Sequence, residues 1–444
     1  MIDIILKFPK STIYFFRFSR QYVNKAVYRH IMTMVLAIIL LRGHRTYANA
    51  SRLFLDGRHK SSISRCFKDA VFPGFTLQED IGKRLLKEAL LVPPSNGRKG
   101  KIPGAKRKVY IIIDGTAQKK RGKKMENKII YKKGYTSDHL FVMGLLYFPD
   151  TGVRIPLPRR LYRTKEYCKK HGYKYRSQVK IAEQMIKYTS LLKDSNDDIE
   201  VTVIFDSFFP SEGVINTIRH KGYHFVCSVR DNRVDINRDK QLKEICQEHI
   251  SEGLIKNRFE IKVSSNRSRY NHPSADKYET KVFITYTEKL VISKMGEVAA
   301  VFSRKEDEKS ELKNMRYILT DKIDMNTVEI LTIYTYRWQI ELYFKELKSY
   351  LGLGNYQMLS FRAIVRHVDC VIMSFMYLEY LRICKLQEEP SSKQWRYSRT
   401  LQMSYVLQHE VRMTNLSYLK RVIKDENSFA KLEQKLIEKL PLVA

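Results

Sequence analysis

The sequence predicts an α/β protein in which a mixed sheet lies between helical N-terminal and C-terminal regions. Two runs carry that expectation. Val109-Tyr-Ile-Ile-Ile113 and Glu200-Val-Thr-Val-Ile-Phe205 are rich in β-branched residues and read as strands buried on both faces. Each ends at an acid, Asp114 and Asp206 respectively. Helix and strand patterns alternate around the second run, as in mixed α/β sheets.

Composition narrows the class. The chain has 444 residues, enough for two or three domains, and an apolar fraction of 43%. Its net charge of +34 implies a polyanionic partner, and nucleic acid is the commonest one. A membrane is disfavoured: no amphipathic basic helix stands out, and the longest apolar run, Ile31 to Leu41, is about half a bilayer span. The opening residues lack the ordered regions of a cleavable leader. Six scattered cysteines form no CxxC pair, so reduced thiols and a cytoplasmic protein are expected, without a zinc site. No internal repeat is visible.

In chain order, residues 1–92 read as a helical, basic N-terminal domain. Within it, Tyr47–Leu55, a turn at Asp56-Gly-Arg-His59 and Ser61–Ala70 have the layout of a helix-turn-helix. Ser61, Ser62, Ser64, Arg65 and Lys68 would then lie near a DNA groove; any small helical hairpin has the same pattern. Residues 93–108 are a basic linker by composition. Residues 109–230 form the first part of the sheet core: strands at Val109–Ile113, Leu140–Phe148, Glu200–Phe205 and Tyr223–Val229, with helices over Ser177–Leu192 and Ser211–Lys221. Residues 231–325 read as a β-rich insertion with strands at Arg258–Ser264, Thr280–Tyr286, Glu297–Ser303 and Arg316–Leu319. Residues 326–360 return to the core as one helix, Thr327–Leu351. Asn326-Thr-Val-Glu329 has the form of a capping box, and Gly352 and Gly354 supply the stop. Residues 361–444 are helical, beginning with the apolar stretch Phe361–Cys384.

The 326–360 helix carries the most informative set. Tyr334, Arg337, Glu341 and Lys348 are 3, 4 and 7 residues apart. At about 100° per residue they share a sector of roughly 60°. Alone, Glu341, Lys345 and Lys348 also suit a surface helix laced by ion pairs. Likewise Asp114 and Asp206 alone suit turns or caps. Together, two strand-end aspartates and a helical glutamate in a very basic chain are what two-metal phosphoryl transfer requires. Mg²⁺ takes hard oxygen ligands and only one or two carboxylates per ion, so three carboxylates suffice.

This set resembles the Y-(2)-R-(3)-E-(6)-K signature of IS4-type DDE transposases, in the RNase H-like superfamily, over about Val109 to Tyr350. The resemblance implies an RNase H-like mixed sheet interrupted by a β-rich insertion. It assigns Asp114, Asp206 and Glu341 to catalysis and to binding two Mg²⁺ or Mn²⁺ ions. Tyr334, Arg337 and Lys348 would contact phosphates of double-stranded DNA, with Lys345 and Arg65 as further candidates. Trp338 matches a position where relatives often carry a Trp able to stack on a distorted end; core packing is its plainer reading. The run Asp206-Ser-Phe-Phe-Pro-Ser211 departs from the DREAD-like form and is similar to IS701-like transposases. Trp395, the other tryptophan, lies outside the insertion. The implied activity is cleavage at transposon ends bearing inverted repeats and joining of the 3′-OH to target DNA, by a homodimer acting on chromosomal DNA. The alternatives are a nuclease without strand transfer, a catalytically silent DNA-binding descendant, and a basic RNA-binding protein. The strand-end acids argue against the last.

Overall fold

The computed structural model describes residues 4–41, 43, 45–94, 106–120, 122, 124–130, 137–189, 191–192, 199–264 and 278–439. Most of the expected linker, 95–105, and with it the charge run Arg98–Lys101, lies outside these residues, as do 121 and 123 of the run Lys119–Lys124.

The apolar runs that predict strands are buried as expected. Val109 to Ile113 are each at most 4% exposed, and Val201, Val203, Ile204 and Phe205 are buried beside them. They belong to β1 (Arg107–Lys120) and β5 (Ile199–Phe205). Between them come β2 (Ile129–Ile130), β3 (Ser137–Tyr147) and β4 (Arg154–Pro156), and β6 (His224–Val229) follows. β4 pairs β3 and β3 pairs β1, both antiparallel; β1 then pairs β5 and β5 pairs β6 in parallel. An antiparallel meander flowing into two parallel strands is the RNase H-like arrangement.

The segment after β6 continues the same sheet. β7 (Val234–Asp235), β8 (Lys240–Gln241), β9 (Asn257–Ser264), β10 (Tyr278–Ile292), β11 (Gly296–Lys305) and β12 (Arg316–Thr320) extend it in the order β6-β12-β11-β10-β7-β8, with β9 on β10. This segment also holds a helix, Leu242–Ser251, that its strand-like composition did not reveal. The helix stands on a capping box formed by Gln241 and Glu244.

Helices start where their caps predict. Ser177 accepts from the Lys180 amide, Ser211 from Val214 and Asn326 from Glu329. The box at Asn326 is half made, because Glu329 turns its carboxylate to Lys108 at 2.5 Å instead of closing back on the cap. The helix expected over Thr327–Leu351 is two, Thr327–Thr335 and Trp338–Ser349. The amides of Tyr336, Arg337, Gln339 and Ile340 each bond three residues back, a tightening of the 3₁₀ type that interrupts the α pattern. The stop holds: Gly352 has φ +67°, and the Leu353 amide returns to the Leu347 carbonyl at 2.8 Å.

The terminal helices share one apolar core with the sheet. Lys25–Leu40 is almost wholly buried, which is why its apolar run is continuous. It and Gly74–Leu91 pack on the long helix Phe361–Glu388, in which 22 residues are buried. Among the described residues no helix is long and apolar enough to cross a membrane.

Candidate active site

Strand register brings the first two acids together. β1 and β5 run in parallel with Ile112 opposite Ile204, so Asp114 and Asp206 each stand two residues further on. Side chains two residues apart share a face, and neighbouring strands are about 4.8 Å apart. The sequence reading is corrected in one respect: Asp114 does not end its strand. β1 runs six residues beyond it to Lys120, because β3 keeps pairing with it as far as Ser137. Asp206 does follow the last residue of β5, where its Oδ1 accepts from the Phe208 amide at 3.0 Å.

The third acid arrives by helix packing. Tyr336, in the tight turn, seats its ring on Tyr110 and Tyr147, at 5.1 and 5.5 Å between centroids. Beyond the helix end, Gly354 lies close against Gln118, so close that an added Cβ would stand 2.4 Å from the Gln118 side chain. The helix Trp338–Ser349 therefore runs along β1 from Tyr110 toward Gln118, which carries Glu341 past Asp114.

A single guanidinium joins them. Arg337 Nη1 lies 3.4 Å from Asp114 Oδ2 and 3.4 Å from Glu341 Oε1. Burial pushes the Asp114 carboxyl up to about 6, against the pull of the Gly115 amide. Asp206 and Glu341 push in the same direction as burial, and Arg337 opposes them. Gly115 donates to Asp114 Oδ1 at 2.7 Å.

The other expected site residues divide. Trp338 is 45% exposed, so it is not a core residue, and Lys345 and Lys348 are also on the surface. Burial of its stem lowers the Lys348 ammonium, with Glu341 and Asp138 acting against that. Tyr334 is half-buried beside Ser228 of β6, and burial raises its phenol. Arg65 is exposed on the helix Lys60–Asp69, which packs against Tyr47–Arg52. Ser62 of the same helix contacts His30 Nε2 at 3.2 Å.

Sequence reasoning missed what holds the Glu341 helix. Glu346, five residues on and 4% exposed, meets Arg154 Nη1 of β4 at 2.9 Å and accepts from Thr400 Oγ1 at 3.0 Å. Arg154 also meets Glu379 Oε1 at 3.3 Å, and Glu379 meets Arg382 Nη2 at 2.5 Å. The only signal in the sequence is that Glu346 falls on the apolar side of its helix.

The donor set suits a hard divalent cation, since carboxylate oxygens already converge on a positive nitrogen. Among the described residues no three His, Cys, Asp or Glu stand close enough to hold one ion. Arg337 fills the interval, and the two oxygens it bridges are spaced by its own contacts.

Residues 176–376 match the family of transposase DDE domains, a span that contains Asp206 and Glu341 and begins downstream of Asp114. No curated protein matches the chain. The family match supports a DDE transposase and, with it, a DNA substrate; such domains generally use divalent metals.

Proposed function

We propose that the chain is a cut-and-paste DNA transposase of the IS4 type, cleaving at transposon ends and joining the freed 3′-OH to target DNA. The observation that carries this reading is the bridging of Asp114 and Glu341 by Arg337, with Asp206 in register beside Asp114. It extends the family match to an acid that the matched span does not include.

Asp114, Asp206 and Glu341 are the residues that would hold the metal. When bound, a pair of Mg²⁺ or Mn²⁺ ions supplies activation of the attacking oxygen and charge stabilisation at the leaving oxygen. The chain's own residues do the rest. Arg337 neutralises the acids while the site is empty of substrate, and its guanidinium is within reach of a phosphate presented to them. Lys345 and Lys348, exposed on the same helix, draw the backbone toward Glu341. Trp338, exposed beside Arg337, offers a face for a base displaced from the end. Arg65 and its helix would contribute to binding the inverted repeats. Two ends must be held together, which calls for a homodimer.

The test is cleavage and joining on a labelled duplex carrying the element's ends, with Mg²⁺, comparing wild type with Glu341→Gln. Cleaved and joined products are expected from wild type; the variant should lose both while still binding DNA. Cleavage without joining in wild type would identify a nuclease, and full activity in Glu341→Gln would remove Glu341 from the site.

A further inference from the structure

A second surface has the chemistry of nucleic-acid binding and does not include Asp114, Asp206 or Glu341. Between Arg159 and Lys180 the chain has nine Lys or Arg and one acid, Glu166, with tyrosines at 162, 167, 173 and 175. The segment runs from the strand bridge at Arg160 through the helix Lys165–His171, is turned by Gly172 at φ +69°, and reaches the cap at Ser177. Residues 169–177 are all exposed.

Its rings form a ladder on the surface. Tyr167 stacks on His171 at 4.2 Å and lies parallel to Tyr173 at 6.3 Å. Arg163 sits 4.4 Å over Tyr173, and Lys165 sits 5.5 Å over Tyr175. Tyr173 and Tyr175 nevertheless stay 49% and 37% exposed. They alternate in sequence with Lys174 and Arg176, so rings and cations are interleaved along this exposed stretch.

The charges there are uncompensated. Among the described residues no ion pair involves Arg163, Lys165, Lys169, Lys170, Lys174 or Arg176. Some exposed cations elsewhere are matched: Arg238 with Glu288, Arg258 with Glu306, Lys289 with Asp324. Unpaired cations of one sign cost self-repulsion that a polyanion removes.

We propose that this surface binds an unpaired DNA strand, with bases stacked on Tyr173 and Tyr175 and phosphates on Lys169, Lys170, Lys174 and Arg176. Exposed rings interleaved with cations are what base faces and a single-stranded backbone require; a duplex hides its base faces. A chain of contacts links the surface to the far end of β1, the strand that carries Asp114. Tyr167 packs edge-on against Phe361 at 5.2 Å, and the Phe361 amide donates to Glu126. The Glu126 carbonyl accepts from His139, which contacts the Tyr356 hydroxyl, and the Tyr356 carbonyl accepts from Lys120 at the end of β1. Lys120 is six residues, about 20 Å, beyond Asp114. The origin of the strand, displaced at a transposon end, rests on the transposase reading; the binding chemistry does not.

The experiment uses the full chain in chelator, where nothing is cut, with a labelled 20-nucleotide oligothymidine and a duplex of equal length. Tyr173→Ala/Tyr175→Ala should weaken oligothymidine binding about tenfold or more and duplex binding less than twofold, with Tyr173→Phe/Tyr175→Phe close to wild type. Replacing Lys169, Lys170, Lys174 and Arg176 by Ser should flatten the salt dependence of single-strand binding by about 0.7 per lost phosphate contact. Unchanged oligothymidine binding in the Ala variant would overturn the proposal. So would an equal loss for both probes, which would make the surface a duplex contact. Since no cleavage is measured, the proposal and the transposase reading can fail independently.

Discussion

Asp114 is a carboxyl held out of its ordinary range by its neighbours. Burial is the largest cause, and the nearby Asp206 and Glu341 add to it. The sign of the effect on stability follows. The folded state keeps a proton up to about pH 6, whereas the ordinary value is 3.8. Between those values the native state binds more protons than the unfolded one, so stability falls as pH rises through the window. Asp114→Asn should therefore be more stable than wild type by about 1–3 kcal/mol at pH 7.5 in chelator. The difference should vanish below about pH 4. Thermal melting across pH measures it, and a variant less stable than wild type at pH 7.5 would refute the account. The same residue illustrates what a sequence can disclose. An acid after a buried β-branched run is visible as a string; the guanidinium 223 positions away that faces it is not.

At the scale of elements, the helix Trp338–Ser349 is fixed at three places. Tyr336 rests on two tyrosines of the sheet, Gly354 abuts Gln118, and Glu346 is tied to Arg154 and Thr400. Removing one member of a buried charge cluster leaves its partner under-compensated, at a cost of about 3–5 kcal/mol. Glu346→Ala should fall in that range by urea unfolding. Asn326→Ala, which removes only the cap on the Glu329 amide, should cost about 1 kcal/mol. Similar losses for the two would mean that the cluster does not hold the helix. Most element positions were legible because caps and β-branched runs act locally. The break at Tyr336–Arg337 was not, since nothing but contacts with Tyr110 and Tyr147 distinguishes that turn from its neighbours. The helix Leu242–Ser251 escaped for a different reason: it stands among strands, and its start depends on a Gln cap.

The whole molecule is tied together by the helix Phe361–Glu388. Helices from the N-terminal region, β4 and later helices all pack on it, and the buried Asp369 is held by Gln78 at 2.7 Å and by Arg159. Those contacts make the N-terminal helices part of the core's solvent exclusion. A chain beginning at residue 106 would bare the faces of Phe361–Glu388 now covered by Lys25–Leu40 and Gly74–Leu91. It should be recovered as aggregate rather than monomer, by size exclusion with light scattering. A monodisperse, folded product would show that the sheet core needs no such cover.

By itself, the sequence determined the α/β class, the two strand-borne aspartates, the helical glutamate with its basic and aromatic neighbours, and the large positive charge. Each of these is written in local periodicity, in residue type or in net charge, which survive without a fold. Only the tertiary structure decided that Asp114 and Asp206 stand in register, that Arg337 bridges Asp114 and Glu341, that Glu346 is anchored to Arg154, and that Tyr173, Tyr175 and the cations Lys169, Lys170, Lys174 and Arg176 are exposed together without ion pairs among the described residues. Those are relations between residues distant in sequence or in which side chains find partners, set by strand pairing and by which face each element must bury.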